Sequence, residues 1–364
     1  MDVVRVTGLQ KSFGKDKAVD GVSFSVQEGI LSLLGPSGCG KTTTLRCIAG
    51  VEVPDAGKVE IGDKVVTDIE GDVFVPPYER DIGFVFQSYA LWPHMSIFDN
   101  IAFGLKMKKV AKGETEARVR EALRLVGLEH KIKNYPFELS GGEQQRVALA
   151  RSIVYNPKVL LLDEPLSNID AKLRESMRVE LKNLLRSLRI ASIYVTHDQE
   201  EAFIISDRVI VMNKGKIAQE GTPADIYEKP RGEFVVDFIG RSNIFHGILR
   251  RRNDGEGEVF LEDIGIELKC IPPPDIKQGM RCIVALRPNE ISIKKEKPRD
   301  KENLIEGTAA ERNYRGTVTD HVVNVGGMKI LVTTHRFCPL AESSESGDRV
   351  YVHVPPSAIT LAPV

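Results

Sequence analysis

The sequence predicts a large α/β domain built on a mostly parallel sheet, followed by a smaller all-β domain. Three observations carry this prediction. Short continuous apolar runs (Ile30 to Leu34, Val159 to Leu162, Ile193 to Val195) alternate with segments of helical period, as in strand–helix units that pack helices on both sides of a parallel sheet. Near Gly240 the pattern changes: strands become short, prolines and glycines frequent, and helical periods vanish. At 364 residues the chain has room for about two domains, each with its own core.

In chain order, Val4 and Val6, then Phe24 and Val26, alternate with polar neighbours as half-buried strands do. Between them Phe13 sits in a polar, glycine-ended turn, where an aromatic is either core or a contact surface. The apolar run Ile30 to Leu34 leads into Gly35-Pro36-Ser37-Gly38-Cys39-Gly40-Lys41-Thr42-Thr43, and a helix ended by Gly50 follows. Strand, glycine-rich loop and helix with the spacing G-x-x-x-x-G-K-T form a phosphate cradle. Gly35, Gly38 and Gly40 let backbone N–H groups turn inward, and the helix N-terminus adds partial positive charge. Lys41 can reach the β- and γ-phosphates, and the Thr42 hydroxyl can bind Mg²⁺. Cys39, at that helix N-terminus, is expected to favour the thiolate.

Gly83 to Gln87 is a further short apolar run ending in glutamine, and the apolar segment behind it, to Leu105, holds the lone tryptophan, Trp92. That cluster reads as core or as interface. Residues 114–126 are helical by period, with Val119, Leu123 and Val126 on one stripe. Leu139-Ser140-Gly141-Gly142-Glu143 precedes a helix from Gln144 to Val154. The strand ending in Asp163 and Glu164 places two carboxylates at its edge; Asp163 can hold Mg²⁺ through water beside Thr42, and Glu164 can orient or deprotonate an attacking water. Asp170 can cap a helix reaching Arg189, and Ile193 to Val195 is closed by Thr196-His197-Asp198. A hairpin is expected across Asn213-Lys214-Gly215, then a short helix with Pro223 at its first position.

The all-β part carries a duplication. Asn243-Ile244-Phe245-His246-Gly247 resembles Asn303-Leu304-Ile305-Glu306-Gly307, and Gly279 to Ile291 resembles Gly347 to Ile359, in the same order. The charge-dense stretch Lys294 to Glu302 reads as the linker between the halves.

The totals exclude several classes. A net charge of −1 argues against a protein that holds nucleic acid by a general basic field. Cys39, Cys47, Cys270, Cys282 and Cys338 form no C-x-x-C pair, which points to a reducing compartment and no structural zinc. With no basic-then-apolar leader and no apolar run of spanning length, the chain is expected to be cytoplasmic, reaching a membrane only through a partner.

A phosphate loop alone fits many NTPases; the further motifs narrow the field. Leu139 to Arg146 closely resembles the signature motif of ABC-type ATPases. Asp163-Glu164 is similar to that family's Walker B element, Ser167 to Asp170 to its D-loop, Gln87 to its Q-loop, His197 to its switch histidine and Phe13 to the aromatic that stacks on adenine. Glu143 departs from the glutamine found in many members. The resemblance implies an ABC ATPase domain over 1–240, a P-loop NTPase fold with a helical subdomain at about 89–156, and ATP and Mg²⁺ as cofactors. It implies nucleotide contacts from Phe13, residues 35–43, Gln87, Asp163 and Ser140-Gly141-Gly142. Metal contacts would come from Thr42, Gln87 and Asp163, and catalysis from Glu164, His197, Gln87 and Lys41. It also implies a head-to-tail homodimer in which the signature motif of one subunit closes over ATP bound by the other.

The tail, 241–364, resembles the TOBE domain of tandem OB-like barrels in bacterial importer ATPases for maltose-type sugars, polyamines, iron(III), phosphonates and sulfate. Tyr89 to Met95 is similar to the surface on which a membrane permease docks in that group. The implied assembly is peripheral to the cytoplasmic membrane face, with integral permease subunits and, indirectly, an external solute-binding protein. Nothing in the sequence selects the solute. Two other classes fit parts of the chain: a cytosolic ABC ATPase acting on nucleic acid or ribosomes, and a ligand-sensing regulatory ATPase. The first is disfavoured, because the chain has one ATPase half, no coiled-coil insertion and no basic–aromatic interleaving in its tail, so no nucleic-acid partner is expected. The second can coexist with an importer role.

Overall fold

The computed structural model describes residues 2–253, 255–298, 302–335 and 345–364. Cys338 and residues 299–301 of the expected linker lie outside them. The chain forms two compact units, Met1–Pro223 and Ala224–Val364, so the stretch 224–240, expected with the first domain, groups with the second.

The first unit runs β1 (Val4–Phe13), β2 (Asp16–Val26), β3 (Ile30–Leu34), α1 (Lys41–Ala49), β4 (Ala56–Ile61), β5 (Lys64–Asp68), β6 (Val73–Phe74), β7 (Ile82–Val85), α2 (Ile97–Met107) and α3 (Lys112–Leu125). It continues α4 (Gly141–Ile153), β8 (Val159–Asp163), α5 (Ala171–Leu188), β9 (Ala191–Thr196), α6 (Gln199–Ile205), β10 (Arg208–Asn213) and β11 (Lys216–Gly221). Its central sheet has the order β11-β10-β3-β9-β8-β7, parallel except for the β10–β11 hairpin. The strands β3, β8 and β9 are buried throughout, which is why they read as continuous apolar runs rather than alternating ones.

Alternate residues of those strands feed two cores. Leu160, Leu162 and Tyr194 pack with α2, α3, α4 and α5, while Leu161, Ile193 and Val195 pack with Leu45 and Ile48 of α1. The second core is closed by an antiparallel sheet, β2-β1-β4-β5-β6, which contributes Val4, Val6, Leu9 and Val59. Helices therefore share that face with a sheet. Arg80, 1% exposed, joins the two: it donates to the Cys47 and Ile48 carbonyls at the end of α1 and to Thr67 Oγ1 of β5.

The second unit holds α7 (Pro223–Glu228), α8 (Glu233–Phe238), β12 (Asn243–Asn253), β13 (Glu256–Leu261), β14 (Ile266–Cys270), β15 (Arg281–Leu286) and β16 (Ser292–Lys294). β17 (Leu304–Tyr314), β18 (Val318–Val325), β19 (Met328–His335), β20 (Arg349–His353) and β21 (Ile359–Pro363) follow. The duplication is visible as two five-stranded sheets, β14-β13-β12-β15-β21 and β19-β18-β17-β20-β16. Each repeat gives its fifth strand to the other's sheet. Ala285 lies opposite Thr360, and the repeat counterparts His353 and Ser292 lie opposite each other in the same register. The glycines shared by the repeats are required by crowding: a Cβ at Gly247 would meet the Phe260 carbonyl at 2.8 Å, and one at Gly307 the Asn324 carbonyl at 2.7 Å.

Candidate active site

The phosphate loop lies between β3 and α1, at the carboxyl end of the central strands, where open α/β sheets place ligands. Gly40, with φ of 104°, is the N-cap of α1, and a Cβ there would collide with the Ala18 carbonyl of β2. The loop is braced from outside: Gly215 of the β10–β11 turn donates to the Cys39 carbonyl at 3.0 Å, and Asp20 donates to the Gly215 carbonyl at 2.9 Å. Lys41 is buried and folded back, its Nζ donating to the carbonyls of Gly35 at 2.7 Å and Pro36 at 2.9 Å. Ser37 and Gly38 stand exposed at the rim; Thr42 and Thr43 follow on the first turn of α1, partly buried. Cys39 corrects the thiolate expectation. It is 3% exposed, and burial pushes its thiol above the ordinary value although Lys41 Nζ lies 3.7 Å from the sulfur.

Two carboxylates leave the end of β8 in different environments. Asp163 is 3% exposed; burial pushes its carboxyl up, against the Thr42 hydroxyl donating to Oδ1 at 2.8 Å and Arg46 at 4.0 Å from Oδ2. Thr42 and Asp163 thus bring two hard oxygen donors from separate elements to one point, with Arg46 at 4.0 Å as the ion-pair partner of the carboxylate. This fits Mg²⁺. Among the described residues no three His, Cys, Asp or Glu side chains form a metal cluster, so a cation here would complete its shell with phosphate and water.

Glu164 has φ of 45°, a left-handed backbone unusual outside glycine, held by its N–H donating to the Val195 carbonyl at 3.0 Å and by the Ser167 hydroxyl on its own carbonyl at 2.8 Å. His197 Nδ1 lies 3.0 Å and Gln87 Nε2 3.5 Å from Glu164 Oε2. Gln87 therefore meets the site through Glu164; among the described residues no hydrogen bond joins it to Thr42 or Asp163. Its backbone carbonyl accepts from Asn168 Nδ2 at 2.7 Å, a link between the 87 and 168 turns that the sequence did not announce.

Ser140 is the N-cap of α4, in a capping box with Glu143: the Ser140 N–H donates to Glu143 Oε2 at 2.8 Å and its hydroxyl to the same oxygen at 2.9 Å. These bonds hold the Glu143 carboxyl below the usual range. Ser140 and Gly141 are exposed and Gly142 buried, and among the described residues no hydrogen bond joins them to the phosphate loop. Phe13 stands half exposed at the tip of the β1–β2 hairpin that backs the loop, with Lys11 Nζ 5.2 Å from its ring centre.

In the 89–95 segment Tyr89 is buried and Trp92 half-buried on Phe103, their ring centres 4.7 Å apart for the latter pair. Arg151 donates to the Tyr89 and Ala90 carbonyls at 2.7 Å, and Asn100 brackets the Trp92 backbone. A cavity of about 340 Å³ opens there between Phe84, Ala90, Trp92 and Tyr155.

A phosphate cradle on a parallel sheet, paired carboxylates on the next strand but one and a serine-capped glycine helix define an ABC-type ATPase. The chain matches the ABC transporter family over residues 19–167 and the TOBE domain over 284–361. It is 46% identical to the spermidine/putrescine import ATP-binding protein PotA of Vibrio parahaemolyticus, over 91% of this chain and 86% of that one. It is likewise 46% identical to the protein of that name from Nostoc, over 90% and 86%. Among solved structures it resembles cbiO1 from Clostridium perfringens, part of the ABC transporter complex cbiONQ, with TM-score 0.56 and 27% identity over 63% of this chain and 91% of that one. A dimeric bacterial ABC transporter cassette matches with TM-score 0.52 and 30% identity over 60% and 98%. The chain belongs to the ATP-binding subunits of ABC importers with a C-terminal TOBE domain. It is the ATP-hydrolysing subunit that drives solute uptake through a separate membrane permease.

Proposed function

We propose that ATP is hydrolysed at the point where α1 begins and β8 and β9 end, with Mg²⁺ held by Thr42 and Asp163 and approached by Gln87. The observation that carries this is the 2.8 Å contact between Thr42 Oγ1 and Asp163 Oδ1, with the Glu164–His197 pair directly beside it. Bound there, Mg²⁺ would supply charge neutralisation at the β- and γ-phosphate oxygens. Lys41 leaves its loop carbonyls for the phosphates, and the N–H groups of residues 35–43 line them. Glu164 orients the attacking water and takes its proton, while His197 holds that carboxylate in line. Phe13 offers its exposed ring to adenine. Ser140, Gly141 and Gly142 act on the nucleotide of a second copy, in a head-to-tail homodimer that closes on ATP.

Domain roles follow the sequence boundaries, ATPase over 1–240 and TOBE over 241–364. The surface from Tyr89 to Met95, with the cavity that Ala90 and Trp92 help to line, receives the permease at the cytoplasmic membrane face, served indirectly by an external binding protein. Among the described residues no helix is long and apolar enough to cross a membrane. The relatives' names make spermidine and putrescine the solutes to test first. Lys41→Ala should abolish Mg-dependent ATP hydrolysis and greatly weaken ATP binding. Near-normal turnover in that variant would remove the site.

A further inference from the structure

We propose that Arg178 is a positioning residue for His197, and that α5 thereby ties this histidine to the Ser167–Asp170 turn. The proposal rests on the role given above to His197. Arg178 lies on the inward side of α5, beside the buried Met177 and Leu181, and is 8% exposed. A buried guanidinium is costly unless paired and hydrogen-bonded. Both of its terminal nitrogens are spent on the turn that follows His197: one donates to Asp198 Oδ2 at 2.7 Å, the other to Glu200 Oε2 at 2.6 Å.

Asp198 is the N-cap of α6. Its Oδ1 accepts from the Glu201 N–H at 3.1 Å, and its own N–H donates to Thr196 Oγ1 at 2.9 Å. Thr196 Oγ1 donates in turn to Glu201 Oε2 at 2.8 Å, which also accepts from Tyr194 OH at 3.0 Å. The residues on either side of His197 are thus held by a buried network, whereas the imidazole itself is exposed against Glu164. Arg178 fastens this network to α5.

One turn earlier on the same side of α5, Arg174 donates to the Ile169 carbonyl at 2.8 Å and approaches that of Ser167 at 3.5 Å. Two arginines four residues apart therefore hold the two ends of the device. Arg174 grips the Ser167–Asp170 turn, and Arg178 grips the cap behind the histidine. The arm to Glu200 reaches an exposed carboxylate and contributes little; the arm to Asp198 carries the coupling.

The test is a mutant cycle on the full-length protein, reading kcat for ATP hydrolysis and ATP affinity together. Arg178→Met should lower kcat about 10- to 100-fold, the scale of a misplaced group, with ATP affinity unchanged. Arg178→Lys, which keeps the charge without the planar fork, should fall between Met and the parent. In a His197→Ala background, Arg178→Met should change kcat by less than about twofold, because the group it positions is gone. Effects that multiply, parental kcat in Arg178→Met, or ATP binding lost in step with turnover would each overturn the proposal. Parental turnover in His197→Ala alone would instead defeat the histidine's role, and is read before Arg178 is changed. If Arg178→Met fails to fold, Asp198→Asn removes the same charge pair while keeping Oδ1 for the cap, and the cycle is run with it.

Discussion

Asp163 is buried at a cost to stability. Its carboxyl is pushed up by burial, so between the unfolded and folded pKa values the native state binds more protons than the unfolded state. Stability contributed at this residue therefore falls as pH rises through the carboxylate range, and the full penalty stands at neutral pH. Asp163→Asn should remove it: without nucleotide the variant should melt higher than the parent at neutral pH, by a margin that shrinks toward acid, while hydrolysis is lost. A lower melting temperature at neutral pH would mean that the Thr42 and Arg46 contacts outweigh burial. Cys39 gives the companion case. Its thiol is buried and its pKa raised, so iodoacetamide should label it far more slowly than a free cysteine at neutral pH. Labelling at the free rate would show that the loop opens in solution to expose it.

At the scale of elements, the exchange of fifth strands sets where damage is felt. Leu361 on β21 is 5% exposed and belongs to the larger core of the second unit, yet β21 pairs with β15 of the first repeat. Leu361→Ala should cost about 2–5 kcal/mol and lower hydrogen-exchange protection first in β15. Loss confined to β20, the corresponding strand of its own repeat, would contradict the exchange. The sequence could not have announced this: both repeats carry the same pattern, and a pattern of period two says nothing about which copy closes which sheet. What was legible rested on local chemistry. Asp170 caps α5 by accepting from the Leu173 N–H at 3.0 Å, α1 ends at Gly50, and the hairpin turn falls at 213–215. The site was legible where spacing encodes contact, as in residues 35–43 and at the end of β8. It was illegible where long-range packing decides, as for buried Arg80, for Arg178, and for Cys39, whose helix-terminal position suggested a thiolate that burial opposes. Only the four-residue spacing of Arg174 and Arg178 beside an apolar stripe hinted at their role.

On the scale of the whole molecule, no hydrogen bond among the described residues joins the phosphate loop to Ser140, Gly141 or Gly142 within one copy of the chain. The phosphate loop opens α1, Ser140 opens α4, and the Ser140 hydroxyl is engaged with Glu143 of its own helix. A second copy, arranged head to tail, would bring Ser140 and Gly142 onto the γ-phosphate held by Lys41, the N-terminal end of α4 adding its dipole. Glu164→Gln isolates this step. It keeps the size of the side chain and a hydrogen-bonding oxygen for His197, but removes the charge proposed above to take a proton from water. The variant should bind ATP, hydrolyse it about 10²–10⁴-fold more slowly, and elute as a dimer with ATP and as a monomer without it. Adding Ser140→Arg should return it to monomer, since a bulky side chain at the cap breaks the box with Glu143 and blocks the approach of the partner's phosphate. Parental turnover with no ATP-dependent dimer would defeat both the catalytic role of Glu164 and the shared site. A dimer that still turns over would defeat the first alone, and the proton would then have to be taken by Asp163 or His197. A dimer that survives Ser140→Arg would move the interface away from α4.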